Sequence, residues 1–139
     1  MLLTGPIDEH HKAYARFLLA PPIEQVGYLE RLPGEACLRT RALLDTGANY
    51  SFTSSAAAES LGLQPCGKPE MGQGAVCIPF AASFVACLEG GFYVLPQRIV
   101  VAREPVDPND PDLIIGMREL ALGKFLIDGP RSRWLWRLP

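Results

Sequence analysis

The chain is divided into short apolar runs by proline and glycine, and this spacing limits what it can fold into. Pro21-Pro22, Pro33-Gly34 and Gly90-Gly91 each interrupt or separate apolar stretches, and residues 64–75 are rich in glycine and proline. Turn residues at such intervals leave room for strands rather than for long helices. The length of 139 residues favours a single domain, residues 1–139. The sequence therefore predicts a mostly β domain with one or two short helices.

Two segments carry helix signals. In the first, "SSAAAESLGL", Ser54 or Ser55 can cap a helical turn, three alanines favour the helix, and Gly62 can end it. The second is "MRELALG", which Gly123 can end. Residues 7–20 fit either a short helix or a strand, and the sequence alone leaves this open.

Several runs are predicted to be strands. The runs around Pro33-Gly34, residues 23–31 and 37–44, suit a hairpin with a type II turn. The two apolar runs on either side of Glu89–Gly91 suit a second hairpin, and "LIIG" suits a short buried strand. In the tail, "RWLWRLP", tryptophans and a leucine alternate with other residues, which favours a strand with one aromatic face over a basic membrane-surface segment.

Composition excludes some classes of protein. The net charge of −2 gives no electrostatic case for nucleic-acid binding, and no apolar run approaches the length of a membrane span. The N-terminus carries charged residues where a signal peptide would be apolar, so a cytoplasmic location is expected. A hydrophobic content of 48% is high for a small domain, which makes a buried subunit interface plausible.

No cofactor or metal is expected. The four cysteines, at positions 37, 66, 77 and 87, form no C-x-x-C pair, and the only histidines are the adjacent His10 and His11. A zinc site needs four convergent ligands, usually in closely spaced pairs. Three of the cysteines lie in strand-like apolar surroundings, so buried free thiols are the better interpretation.

The candidate for chemistry is Asp45, at the end of the apolar run Ala42–Leu44 and directly before Thr46-Gly47. An ionised carboxylate at the end of a buried strand is costly unless it is held by partners. Asp-Thr-Gly is not specific alone, because all three residues favour surface turns. Here the leucines before the triplet and Ala48 after it count against a plain turn.

These residues resemble the active-site region of the retropepsin-like aspartic proteases, which include retroviral and retrotransposon proteases and bacterial relatives. The shared pattern is an apolar strand, Asp-Thr-Gly-Ala, a Ser-Phe step and a short helix ending Leu-Gly-Leu, found here at Leu43–Ala48, Ser51-Phe52 and Leu61–Leu63. A second family element, two apolar residues and a glycine before a short helix, matches Leu113–Leu120. The resemblance covers about residues 24–128, with 1–23 as an N-terminal extension and 129–139 as a C-terminal strand or tail.

The resemblance implies a closed acid-protease barrel that forms a homodimer, because one chain carries one Asp-Thr-Gly and the chemistry needs two carboxylates. Asp45 would be the catalytic carboxylate, one from each subunit. Thr46 would hydrogen-bond across the dimer axis, Gly47 would leave room for substrate backbone, and Ala48 would line the floor below it. The tryptophan-bearing tail could supply an interface strand.

Substrate would bind as an extended peptide beneath a flap. The candidate flap is Met71–Val76, and a plain loop is the alternative interpretation of this segment. The candidate substrate-binding residues are Met71, Gly72, Gln73, Gly74, Asn49 and Ile115. One departure stands out. Retroviral members commonly have an Asp and an Arg, paired with each other, where this chain has Asn49 and Met117. Both halves of the pair are missing together, so no charge is left unpaired.

The function implied is an aspartic endopeptidase that hydrolyses peptide bonds in extended substrates, without cofactor, metal, nucleic acid or membrane. Two alternatives stay open. One is a retropepsin-fold dimer of little or no catalytic activity that binds a peptide or protein. The other is an unrelated β domain with a surface Asp-Thr-Gly turn.

Overall fold

A computed structural model of the protein describes residues 1–34, 36–72, 74–105 and 107–139. It contains two short helices among many strands, as the sequence predicts. In chain order the elements are β1 Leu2–Pro6, β2 Ala13–Ala20, β3 Gly27–Leu29, β4 Leu38–Leu44, β5 Phe52–Ser54, α1 Ser55–Ser60, β6 Glu70–Gly72, β7 Ala75–Leu88, β8 Gly91–Val94, β9 Arg98–Arg103, β10 Leu113–Ile115, α2 Met117–Leu120, β11 Lys124–Asp128 and β12 Arg133–Arg137.

Six strands close into a barrel. They are hydrogen-bonded in the order β2-β4-β10-β5-β9-β7, and β7 pairs back onto β2. The length of β7 makes this closure possible, since its first half pairs with β9 at residues 78–82 and its second half pairs with β2 at residues 83–86. A closed barrel leaves few unpaired strand edges.

The open question at residues 7–20 is answered by β2, a strand paired on both edges, with β4 and with β7. Phe17, Leu18 and Leu19 are almost completely buried. Residues 13–20, which the sequence analysis placed in an N-terminal extension, are thus a wall of the barrel.

The predicted hairpin around Pro33-Gly34 is wrong. β4 pairs with β2 along its whole length and with β10 at Leu43 and Leu44, but not with β3. β3 pairs with β8 instead. The second predicted hairpin is present, with β7 and β8 joined at Glu89-Gly90, although Leu95–Gln97 separates β8 from β9.

The first helix has the predicted boundaries. Ser54 caps α1 by accepting a hydrogen bond from the Ala57 N–H at 3.1 Å. Gly62, just beyond the helix, has a φ of +63°, a conformation that glycine adopts without strain. Neither of the described helices has the length or apolar composition that crossing a membrane would require.

A second sheet of three strands, in the order β1-β12-β11, packs against the barrel. Trp134 and Trp136 on β12 are buried as the alternation predicts, and Trp136 stacks on Phe17 of β2 with ring centroids 6.0 Å apart. Because β12 is hydrogen-bonded on both edges within its own chain, it has no free edge for a second subunit.

Candidate active site

Asp45 lies where two parallel strands end side by side. Leu43 and Leu44 of β4 pair with Ile114 and Ile115 of β10. The Asp45 N–H continues this ladder by donating to the Ile115 carbonyl oxygen at 2.9 Å. The apolar run therefore delivers the carboxylate to the end of the barrel wall, where its side chain is half-buried.

The residues after Asp45 form a tight turn around its side chain. The Gly47 N–H donates to Asp45 Oδ1 at 2.8 Å, and the Ala48 N–H donates to the Asp45 carbonyl at 3.2 Å. A Cβ at Gly47 would lie 3.2 Å from Oδ1, which is tight. One carboxylate oxygen is thereby fixed by backbone, while Thr46 and Gly47 lie exposed at the surface.

The second half of this loop, Ala48 and Asn49, is hydrogen-bonded to the start of α2. The Met117 N–H donates to the Ala48 carbonyl at 2.7 Å, and the Arg118 N–H donates to the Asn49 carbonyl at 3.2 Å. Gly116 lies where the loop meets the start of α2, and a Cβ on it would come within 2.3 Å of the Tyr50 carbonyl oxygen. Loop and helix approach so closely that only glycine fits at this position.

A buried polar network lies behind the loop. Ser51 Oγ donates to Glu119 Oε1 at 2.6 Å and accepts from the Gly116 N–H at 3.0 Å. Arg98 Nε donates to Glu119 Oε2 at 2.7 Å, forming an ion pair. Glu119 is 1% exposed, so its charge is compensated by these partners rather than by water.

This network is not predicted from the sequence. Asn49 and Met117 lack the Asp and Arg of retroviral relatives, but an acid–base pair, Arg98 and Glu119, lies nearby at other positions. The available signal was Glu119 itself, a charged residue on the first turn after a buried apolar strand. Arg98 is 21 residues earlier, and nothing local connects the two.

Most of the predicted site residues lie in two segments of the structure, the Asp45 loop and the β6–β7 hairpin. Asp45 to Asn49 form one loop, and Met71, Gly72 and Gly74 lie on or beside the β6–β7 hairpin, whose strands pair at residues 70–72 and 75–77. Gln73 lies outside the described residues. Ile115 is fully buried and contacts Asp45 through its backbone, so its side chain has no exposed surface for substrate.

The four cysteines are free thiols, three of them half-buried and Cys66 exposed. Burial raises the pKa of the Cys87 thiol, which favours its neutral form. Within the described residues, no three histidine, cysteine, aspartate or glutamate side chains converge as metal ligands.

The model of the aspartyl protease family matches residues 34–118, which is more than half of the chain. The matched region includes the Asp45 loop, β10 and the start of α2. The chain belongs to the aspartyl protease family. A comparison with curated protein sequences finds no match.

Among solved structures, this chain is similar to a retropepsin-like aspartic protease from Rickettsia conorii. The TM-score is 0.57 at 15% identity, and the match covers 98% of this chain and 90% of the other. At that identity the likeness shows the fold, which is retropepsin-like as predicted.

Proposed function

We propose that the protein is an aspartic endopeptidase that acts as a homodimer, with Asp45 of each subunit forming the catalytic pair. The observation that carries this proposal is the placement of Asp45. Its backbone is fixed by Ile115, one carboxylate oxygen is held by the Gly47 N–H, and the loop around it is exposed. A carboxylate that only closed a surface turn would not require its loop to be hydrogen-bonded to a second segment, as this loop is to β10 and α2.

The chemistry follows from the proximity of two acids. Two carboxylates about 3 Å apart cannot both ionise cheaply, so the pair holds one proton. The ionised Asp45 takes a proton from a bound water, whose oxygen attacks the scissile carbonyl carbon, while the protonated Asp45 of the partner subunit hydrogen-bonds the carbonyl oxygen. The tetrahedral intermediate collapses as a proton passes to the amide nitrogen and the C–N bond breaks.

The surrounding residues support an extended peptide as substrate. Gly47 and Ala48 present a narrow, largely backbone surface beside Asp45, which suits the approach of another backbone. The β6–β7 hairpin is the proposed flap, with Met71 and Gly72 on one strand and Gly74 at its turn. A peptide between loop and flap would bind as an added strand. Thr46, which is exposed, would hydrogen-bond across the dimer axis.

The test is cleavage of a peptide library by the wild type and by Asp45→Asn. The variant retains the acceptor oxygen for the Gly47 N–H but cannot activate water, so we expect a folded protein without activity. Asp8→Asn is the matched control, because Asp8 Oδ1 also accepts a backbone N–H two residues on, from His10 at 2.9 Å.

If both Asp45→Asn and Asp8→Asn cleave peptides like the wild type, the cleavage comes from another site or from another protein. A wild type that binds peptides but cleaves none, under conditions where it is dimeric, would instead identify a peptide-binding protein. Inhibition by a statine-type transition-state mimic is expected only of the protease.

A further inference from the structure

A pocket of about 460 Å³ opens between the β6–β7 hairpin and the barrel strands next to the Asp45 loop. Met71 and Gly72 line it from the hairpin, and Tyr50 and Ile99 line it from below. Tyr50 belongs to the same loop as Asp45, five residues later. A peptide lying across Asp45 beneath the hairpin would therefore place a neighbouring side chain at the mouth of this pocket.

The pocket walls are apolar and open to solvent. Met71 is 72% exposed, Ile99 44% and Tyr50 42%. Large apolar side chains exposed together, rather than singly, mark a binding surface. The walls suit the hydrocarbon part of a substrate side chain.

The charges around the pocket are mainly positive. Lys68, Arg103 and Arg118 line it, against one carboxylate, that of Glu70. The Arg103 guanidinium lies over the Phe52 ring, 4.7 Å from its centroid, and has a further interaction within the protein. It is therefore less available to a substrate. Arg118 differs, because within the described residues no carboxylate lies within ion-pair distance of it.

The geometry of Arg118 favours binding of a carboxylate. Its guanidinium lies over the Tyr50 ring, 4.4 Å from the centroid, and its backbone is tied to Asn49 and to Arg98. Stacking holds the guanidinium plane in place while its N–H groups stay available at the edge. A carboxylate can accept two such hydrogen bonds at once, which neither an amide nor an alcohol does as well.

We propose that this pocket is a substrate subsite selective for glutamate, with Arg118 as its specificity-determining residue. A glutamate side chain would place its methylene groups against the apolar walls and its carboxylate at Arg118, with Lys68 adding to the attraction. This inference rests on the proposed protease function. In a symmetric dimer the pocket occurs twice, so the preference should appear at one substrate position on each side of the cleaved bond.

The test is a positional-scanning library of fluorogenic peptides in which each position in turn is Glu, Gln or Lys. We expect Glu to exceed Gln in kcat/KM by about three- to tenfold at the subsite positions, the range for a partly exposed charge pair. Lys should be disfavoured there. The Arg118→Gln variant should remove the preference, and Arg118→Glu should reverse it toward Lys.

The matched control is Arg41→Gln. The Arg41 guanidinium also stacks on a tyrosine, Tyr14, at 3.9 Å, but it lines a different pocket. The control should keep the glutamate preference. The midpoint of thermal unfolding of Arg118→Gln, compared with that of the wild type, shows whether this variant is intact.

Equal cleavage of the Glu, Gln and Lys peptides at every position would overturn the subsite while leaving the protease assignment in place. A glutamate preference that persists in Arg118→Gln would overturn the role of Arg118. If no peptide is cleaved, the protease proposal fails, and fluorescence polarisation of labelled Glu and Gln peptides on Asp45→Asn then decides the subsite. Tighter binding of the Glu peptide that depends on Arg118 supports it, and equal or absent binding contradicts it.

Discussion

Glu119 is an unusual residue to find behind the Asp45 loop, since a buried carboxylate must be compensated. Its two oxygens accept from Ser51 and Arg98, and Ser51 in turn accepts from Gly116. This arrangement connects the loop, α2 and β9 through one side chain. Breaking a buried pair by removing one charge is more costly than replacing both partners, because the other charge stays buried.

Glu119→Gln should therefore destabilise the protein even though the two side chains have nearly the same shape. The amide can still accept from Ser51, but Arg98, with 28% of its side chain exposed, loses its counter-charge. We expect the free energy of unfolding to fall by about 1–3 kcal/mol, below the range for fully buried pairs because Arg98 is partly solvated. Urea denaturation measures this.

Glu59→Gln is the control, since Glu59 is exposed on α1 and its substitution should change stability by less than about 0.5 kcal/mol. A Glu119→Gln variant as stable as the wild type would mean that Arg98 is satisfied by water and by the Arg118 carbonyl alone.

At the level of elements, the site is a junction between two segments about 70 residues apart, β4 with its loop and β10 with α2. Local patterns predicted both segments, because an apolar strand ending in Asp-Thr-Gly and a glycine before a short helix are each readable in a few residues. The same patterns did not predict which strands pair. The sequence predicts that β3 pairs with β4 because they are neighbours in the chain, whereas β3 pairs with β8, and the end of β4 pairs with the distant β10.

The buried network was missed for the same reason. A charge at position 119 is visible in the sequence, but its partner is chosen by the closure of the barrel, which brings β9 beside α2. The tail was predictable as a strand from its alternation, while its place between β1 and β11 depends on contacts across almost the whole chain.

Gly116→Ala tests the junction directly. The φ of Gly116 is −94°, which any residue can adopt, so the cost of a side chain there is steric. The new Cβ would lie 2.3 Å from the Tyr50 carbonyl oxygen and 2.8 Å from that of Ala48. Loop and helix must separate, and we expect a loss of at least about 2 kcal/mol in stability together with most of the peptidase activity.

Gly34→Ala is the matched control, because a Cβ at Gly34 has open space around it. It should leave thermal stability and cleavage unchanged. If Gly116→Ala cleaves peptides at the rate of the wild type, the loop does not need its close contact with α2.

At the level of the whole molecule, a homodimer requires a surface that joins two copies near Asp45. Among the described strands, β11 forms one edge of the small sheet and is connected to α2 by only three residues. Leu126 and Ile127 on β11 are 58% and 50% exposed. An exposed apolar edge strand is a template for pairing with another chain, and pairing of β11 with its own copy would join two sheets into one.

If the proposed homodimer pairs through β11, Leu126→Lys should convert it into monomers and abolish the proposed cleavage, because a charge on an edge strand opposes pairing and each monomer carries one Asp45. Sedimentation equilibrium and the peptide assay measure the two effects together. Val26→Lys is the control, since Val26 is 55% exposed and directly precedes β3, which belongs to the other sheet. A Leu126→Lys protein that stays dimeric would place the interface on another surface.

Complementation separates the dimer from the chemistry. Leu126 is the central residue of β11, so in an antiparallel pair it faces its own copy across the two-fold axis. Leu126→Lys and Leu126→Glu chains should each be inactive monomers, whereas their mixture places opposite charges in contact and should regain dimers and activity. If the Glu chain also carries Asp45→Asn, the mixture should form the same dimers and cleave nothing, because only one of the two carboxylates remains. Cleavage by that mixture would mean that a single Asp45 is sufficient and that the shared-proton mechanism does not apply.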